Sequence, residues 1–491
     1  NMTQLAQTAS TAVTTKPLDL KEKIIFGSGD IFIGGTQVIM AFYYLRFLTD
    51  VIQISPALAG TIVLISKIWD AITDPMMGVI TDNTRTRWGR RKPFFFIAFF
   101  GIISSFVLLW YPVEFDSTPM KFVYVLMTYL YFSTVSTVVL VPYSSMSSEI
   151  TTDYKERNNV NGIRLFFSQF SSLLGAVLPL TVVNMFDDES LGWLVMAIVF
   201  SVVYAIPYML MFFFTHERVP VCGEKSKFEL ASFLRPFKIK SFRKLVMMYF
   251  LAYLTMDVVA AVFQYYMLYF LDRKDEADYV IGTLLVVQIF LIPVVVMLAN
   301  KYSKSIVYKY SILIWLAGAI MLACYQQDWP PYAIYLISAL MGCGVTGCVV
   351  MPWAIFPDVT DVGELHYGHR ISGSFSGVMT FTRKFSGAFG IFVVGISLEL
   401  AGYLAPVKEV VDGKLSVTLQ TQPDAVITAL QLIVLVFPLV LLIPAYFAAR
   451  SYPLDQATHE KLRTHLEFKR GEREQDNLSA QELKTIKDLL I

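Results

Sequence analysis

The segment Lys67-Ile68-Trp69-Asp70-Ala71-Ile72-Thr73-Asp74-Pro75 sets two carboxylates four residues apart in an apolar stretch. On a helix, that spacing puts both on one face. An ionisable group at membrane depth costs about 2.5–3.5 kcal/mol on insertion scales, so it normally faces a bundle interior and works there. Two close carboxylates repel each other, and a bound cation, a proton or a basic neighbour relieves them. Na⁺ is a hard ion that takes oxygen ligands. Two carboxylates with Thr73 beside them, and Thr137 from a later stretch, form a candidate oxygen set. The competing reading is a structural ion pair with Lys67.

Two basic residues also sit inside apolar stretches: Arg164 in Gly162-Ile163-Arg164-Leu165-Phe166-Phe167, and Lys384 in Thr382-Arg383-Lys384-Phe385-Ser386. Each must pair with an acid or point into water. Lys384 either neutralises the Asp70/Asp74 pair or binds an anionic ligand, and Arg164 suits bidentate recognition of a carboxylate or sulfonate. Asp30, Arg46 and Asp257 are further charged positions, Asp257 without an assignable partner. Tyr143, Trp353 and Tyr265 are candidates for stacking on a sugar ring, although such aromatics more often pack or sit in interface belts.

The elements that hold these residues follow from composition. The 491 residues are 55% hydrophobic and only 16% charged, with net charge +1 and mean hydropathy +0.55. Soluble domains carry about 25% charged residues, so an ordinary cytosolic enzyme and a disordered chain are both excluded. The near-neutral balance gives no case for a nucleic-acid partner. A helical span needs about 20 apolar residues. Twelve such runs are expected, at 23–49, 58–81, 93–112, 120–148, 160–185, 192–214, 241–271, 277–300, 307–325, 332–355, 371–402 and 426–450.

Basic residues collect in 85–92 and in the loop between spans six and seven, while loops 113–119, 187–191 and 326–331 have no Lys or Arg. By the positive-inside rule the basic loops and both termini are cytoplasmic. The polar first twenty residues have no apolar signal core. The chain then divides into a cytoplasmic segment 1–22, a six-helix bundle 23–214, a central cytoplasmic loop 215–240, a second bundle 241–450 and a cytoplasmic tail 451–491. The halves echo each other. Val141-Pro142-Tyr143 leads to Glu149, Asp153 and Arg157, and Met351-Pro352-Trp353, about 210 residues later, leads to Asp358, Asp361 and Arg370. A repeated six-span unit marks an alternating-access transporter with its site between the halves. Basic loop 82–92 anchors the cytoplasmic face, with Gly89 suited to a tight turn, and is a candidate tether between the halves. The fold class is therefore an all-α membrane protein: twelve transmembrane helices in two pseudo-symmetric six-helix bundles.

Thr49-Asp50-Val51, Trp69-Asp70-Ala71-Ile72-Thr73-Asp74-Pro75-Met76-Met77-Gly78, Arg85-Thr86-Arg87-Trp88-Gly89-Arg90, Pro142-Tyr143, Arg157, Arg164-Leu165-Phe166-Phe167, Asp358–Asp361 and Lys384 together resemble the glycoside–pentoside–hexuronide:cation symporter family. This is the group of the melibiose permease, within the major facilitator superfamily, and the resemblance covers nearly all of 21–454. It implies a monomeric twelve-helix symporter of the bacterial inner membrane that imports a sugar with Na⁺, Li⁺ or H⁺. Its cation site falls on Asp70, Thr73, Asp74 and Thr137. Melibiose-type members have Asn where Thr73 stands. The family's helix-eleven lysine falls on Lys384, its helix-five sugar-site arginine on Arg164, and its cytoplasmic ionic lock on Arg157, Asp358, Asp361 and Arg370.

Galactoside transporters of this family grip sugar hydroxyls with two acids. Counting back from Asp50, the helix-one acid falls on Gly34, and the acid just before the helix-four proline falls on Leu140. Losing both while Arg164 and Lys384 stay shifts the expected substrate toward an acidic sugar: a hexuronide, glucuronide or sulfonated sugar. Gln37 is a candidate hydroxyl contact. The expected function is cation-coupled import of such a sugar by alternating access. No prosthetic cofactor is expected, and the only metal is Na⁺ at Asp70 and Asp74 if sodium drives the cycle. Transport of a neutral glycoside or pentoside is one alternative. Transport of a lysolipid or other amphiphile is another. No nucleophile–base constellation or metal-ligand cluster suggests an enzyme.

Overall fold

The computed structural model describes residues 18–84, 86–89, 91–150, 154–216, 235–368, 372–411, 414–469 and 478–491. Among them, twelve helices are long and apolar enough to cross a bilayer. The first six are α1 (Leu20–Tyr44), α2 (Pro56–Asn83), α3 (Lys92–Leu109), α4 (Thr118–Glu149), α5 (Tyr154–Val183) and α6 (Glu189–Phe214). The second six are α7 (Lys240–Phe270), α8 (Ala277–Tyr302), α9 (Lys304–Cys324), α10 (Ala333–Tyr367), α11 (Ser372–Leu400) and α12 (Asp424–Arg450). Each meets an expected span. The largest extension is α10, which runs through Pro352 and Pro357 to Tyr367 and so carries Asp358 and Asp361 on its last turns.

Packing repeats with the chain. Within the first half α1 packs on α5, α2 on α4, and α3 on both α4 and α6. The same pairs recur six helices later: α7 on α11, α8 on α10, and α9 on both α10 and α12. Between the halves, α2 packs on α11 and α5 on α8, which is the reciprocal pairing that a pseudo-twofold axis demands. The two bundles of the major facilitator fold are thereby established. In an aqueous core the stripe facing inward would be apolar. Here the outward faces are apolar as well, with Phe290, Met297, Val440 and Phe213 exposed, as lipid-facing helices require.

One end of the molecule is sealed. α1 and α7 both widen into π-helical turns there, at Met40–Tyr44 and Tyr266–Phe270. Thr49 Oγ1 lies 2.7 Å from the Tyr265 hydroxyl, and Arg46 Nη1 donates to Gln264 Oε1 at 3.5 Å. The Tyr403 hydroxyl, just past α11, donates to Asp50 Oδ1 at 2.5 Å. Arg46 Nε lies 3.6 Å from Asp50 Oδ2. α2 and α11 touch through backbone at the same end, since a Cβ on Gly395 would stand 2.2 Å from the Pro56 carbonyl oxygen.

Two features outside the spans bear on the expectations. Between α11 and α12, β1 (Val407–Val411) pairs antiparallel with β2 (Lys414–Thr418), Val410 opposite Leu415. This small departure from all-α follows from β-branched runs flanking Asp412-Gly413, a hairpin signal. At the opposite end, the tail forms α13 (Gln456–Lys469) and α14 (Ala480–Leu490). Leu462 and Leu490 are fully buried, so the tail docks on the second half. Gly89 takes φ 112° and its N–H donates to the Thr86 carbonyl, forming the expected tight turn.

Gly395→Ala forces a methyl against the α2 backbone and should lower stability by about 1–3 kcal/mol. Gly78→Ala meets nothing within 4 Å and should stay within about 1 kcal/mol of the parent. Thermal unfolding in detergent measures both, with an earlier midpoint expected for the first alone.

Candidate functional site

α2 brings Asp70 and Asp74 to the boundary between the halves, and four neighbours converge on them. Lys384 of α11 donates to Asp74 Oδ2 at 2.5 Å and lies 3.7 Å from Asp70 Oδ2. Lys67 donates to Asp70 Oδ2 at 2.9 Å. From α4, Ser133 donates to Asp70 Oδ1, and Thr137 donates to Asp74 Oδ1 at 2.6 Å. Ser133 and Thr137 are four residues apart, as are the two carboxylates, so two helix faces meet in register. Pro75 cannot donate to the Ala71 carbonyl, which leaves another oxygen free within the same turn.

The two readings of the acids therefore coexist. Lys67 makes the structural ion pair, and Lys384 places an ammonium across both carboxylates. Four carboxylate and two hydroxyl oxygens suit a hard cation, which would compete with the ammonium for them. Thr73 belongs less closely to this set, because its hydroxyl donates to the Trp69 carbonyl at 3.1 Å. Ser133 was missed by sequence reasoning, although its spacing from Thr137 matches that of the aspartates.

Asp257 finds its partner in Arg383, next to Lys384. Arg383 Nη1 and Nη2 donate to Asp257 Oδ2 and Oδ1 at 2.7 and 3.1 Å, and Ser386 Oγ adds a bond of 2.9 Å. This pair, together with Gln37, lines two cavities between the halves. One of about 160 Å³ reaches Lys67, Asp70 and Lys384. The other, about 210 Å³, extends between α1, α5, α7, α8 and α10.

The expected sugar contacts are arranged differently. Arg164 is neutralised by Asp30, its Nε donating to Asp30 Oδ2 at 2.6 Å. Tyr143 is fully buried and donates to Asp30 Oδ2 at 3.1 Å and to the Phe26 carbonyl at 2.9 Å. Its ring lies 4.6 Å under the Arg164 guanidinium, so it braces this pair and offers no stacking face to a ligand. Helix one thus keeps an acid, one turn before Gly34. Gly34 lines the larger cavity with backbone only, since a Cβ there would stand 2.1 Å from the Ser168 carbonyl oxygen of α5. Trp353 lines neither of these two cavities. It packs edge-on against Tyr249 with ring centres 5.6 Å apart. Tyr265 belongs to the sealed end.

At the tail end, Asp358 takes a 2.6 Å bond from Lys304, and His459 of α13 stands 3.1 Å from Asp361. The Arg157 side chain and Arg370, expected partners of these acids, lie outside the described residues.

The arrangement is one of paired charges and cavities between two bundles, and the sequence matches the family model for an MFS/sugar transport protein over residues 25–456. The chain belongs to that family. Among its relatives, the isoprimeverose transporter of Lactiplantibacillus pentosus is 26% identical over 394 residues, covering 78% of this chain and 81% of the relative. The inner membrane symporter YicJ of Escherichia coli is 27% identical over 414 residues, covering 80% and 85%. The sodium-dependent lysophosphatidylcholine symporter 1-A of Danio rerio is 23% identical over 508 residues, covering 94% and 91%. The solved nucleoside transporter NupG superposes with TM-score 0.60 at 13% identity, covering 88% of this chain and 98% of that one, a likeness of fold.

Removing one member of the buried Asp257–Arg383 pair strands a charge, at a typical cost of about 3–5 kcal/mol. Asp257→Ala should therefore unfold earlier than the parent on heating in detergent. The double variant Asp257→Ala/Arg383→Leu should recover most of the loss.

Proposed function

We propose that this protein is a cation-coupled symporter that carries a glycoside across the bacterial inner membrane by alternating access. The observation that carries the reading is the bond between halves from Lys384 on α11 to Asp74 on α2. A cation or proton arriving at Asp70 and Asp74 competes with that ammonium and loosens the tie. The adjoining cavities, which share Gln37, Asp257 and Arg383, then receive the sugar. Each ligand tightens the other by the same factor, since coupling free energy is reciprocal. The driving ion is Na⁺ or H⁺. The family transports solutes, and the same groups serve here without any covalent step.

A neutral glycoside is favoured over an acidic sugar. The acidic-sugar expectation rested on two uncompensated cationic residues. Arg164 is matched by Asp30, Lys67 and Lys384 by Asp70 and Asp74, and Arg383 by Asp257. A net positive pocket is not what these pairs provide. The relative that carries isoprimeverose agrees with a neutral sugar.

For orientation, the basic loops and both termini are taken as cytoplasmic. The seal of Arg46, Asp50, Tyr265 and Tyr403 then closes the external side, and the molecule faces inward. Residues 215–240 form the cytoplasmic link between bundles 23–214 and 241–450, and 451–491 a cytoplasmic tail. The protein works as a monomer, because both halves of the cavity come from one chain.

Uptake into sealed proteoliposomes tests this reading. A panel of neutral glycosides, isoprimeverose among them, should include one that accumulates several-fold faster under an inward Na⁺ or proton gradient. Asp70→Asn and Asp74→Asn should each abolish that stimulation without changing the elution profile of the folded protein. Equal uptake with every gradient collapsed contradicts the proposal. Uptake of lysophosphatidylcholine with no glycoside uptake would favour the amphiphile alternative instead.

A further inference from the structure

Gln37 on α1, Gln169 on α5 and Gln288 on α8 all line the larger cavity between the halves. No side-chain amide of the three has a hydrogen-bond partner among the described residues. Gln288 is buried, only 6% exposed, and still faces that cavity. Gln169 is half-buried and Gln37 exposed, so the three amides are open to whatever fills the cavity, and a ligand there can supply the hydrogen bonds that the protein does not. Three on three helices, drawn from both halves and aimed into one cavity, are a recognition surface.

The chemistry of the surface selects the ligand. An amide offers acceptor and donors together, so each can engage two neighbouring hydroxyls. Among the described residues, the ionised ones on this cavity wall are Asp257 and Arg383, and they satisfy each other. Between the amides the wall is mostly apolar, with the Trp315 indole among its faces and Ser168, Ser172, Ser338 and Tyr253 among its polar members. A compact neutral ligand with several hydroxyls and apolar ring faces fits this set. A carboxylate or sulfonate would lose its hydration and, among the described residues lining this cavity, meet no cation without an acid partner.

We propose that Gln37, Gln169 and Gln288 read the hydroxyls of a neutral glycoside in the larger cavity, with Gln288 giving the second half its direct hold on the sugar. The inference rests on the sugar-symport reading and narrows its substrate class. The neighbouring cavity shares Gln37, Asp257 and Arg383 with this one and reaches Asp70 and Lys384. The amide site is therefore one charge pair away from the cation cluster, and ligands at the two sites sense each other through it.

Calorimetry on the purified full chain in saturating Na⁺ at two pH values tests the assignment. The probes are isoprimeverose, methyl xyloside, methyl galactoside, methyl glucuronide and single-deoxy versions of whichever neutral glycoside binds. A neutral glycoside should bind at least tenfold tighter than the glucuronide. Gln169→Leu and Gln288→Leu should each weaken it by about tenfold. Deleting the matching hydroxyl should weaken binding to the parent protein but add nothing in the corresponding variant. A purely structural role would not produce that non-additivity. Cation-induced thermal stabilisation without sugar reports folding of each variant, and Gln288→Met replaces the leucine variant if that one fails to fold. Tighter binding of the glucuronide overturns the proposal. So do glutamine variants that bind every neutral probe as the parent does, and in that case sugar symport itself stands. If no sugar of either charge binds the folded parent, the sugar-symport reading fails and this inference falls with it.

Discussion

Placing two carboxylates on adjacent turns of a helix within the membrane is tolerable only if positive charge accompanies them. In this chain the positive charge comes from two directions. Lys67 supplies it from the same helix, and Lys384 supplies it from the other half of the molecule. The second source is the consequential one. It makes the electrostatic relief of α2 depend on the position of α11, so any ion that takes over the relief changes the contact between the bundles. In the proposed exchange the hydroxyls of Ser133 and Thr137, which bond the two carboxylates, would hold them in place. Rigidity on one side and exchangeability on the other are what ion coupling requires.

The pseudo-twofold packing is what would turn the proposed local exchange into a global motion. Because α2 meets α11 and α5 meets α8, the halves touch along two symmetric seams. At one end those seams are fastened by backbone contact and by the Arg46, Asp50, Tyr265 and Tyr403 cluster. The Lys384 bond lies deeper along the α2–α11 seam. Opening the fastened end means giving up a buried network of directional bonds, so the two arrangements are discrete and not a continuum. In the proposed cycle sugar and ion together shift the balance between them by their differential affinities.

Most of the architecture is legible in the sequence because hydropathy along a membrane chain is a strong signal, and the twelve spans follow from it. Asp70 and Asp74 stand out for the same reason, as charges where charge is expensive. Pairings between distant segments are harder. Asp74 and Lys384 are 310 positions apart, and whether Arg383 or Lys384 faces α2 depends on a helix rotation that the local sequence does not state. Asp257 had no assignable partner until that rotation was known. Asp30 was recognisable as a buried charge. Counting along the helix nevertheless pointed to Gly34, one turn away, and made the first half look short of an acid. Of the three glutamines only Gln37 was singled out, from its place on helix one; Gln169 and Gln288 carry no sequence signature, since a glutamine in an apolar helix is conspicuous only when its amide is found unpartnered. The hairpin between α11 and α12 was not anticipated in an all-α reading, although its β-branched runs around Asp412-Gly413 carry a hairpin signal.

The exchange at Lys384 can be observed directly. Reductive ¹³C-methylation of the lysines, with Lys384→Arg used to assign the resonance, lets NMR follow this single ammonium during titrations with Na⁺, Li⁺ and acid. The account predicts that at least one titration moves the Lys384 signal to that of a released ammonium, and that Asp74→Asn abolishes the response. A Lys384 signal that stays unmoved in all three, in a protein whose uptake still follows an ion gradient, contradicts it.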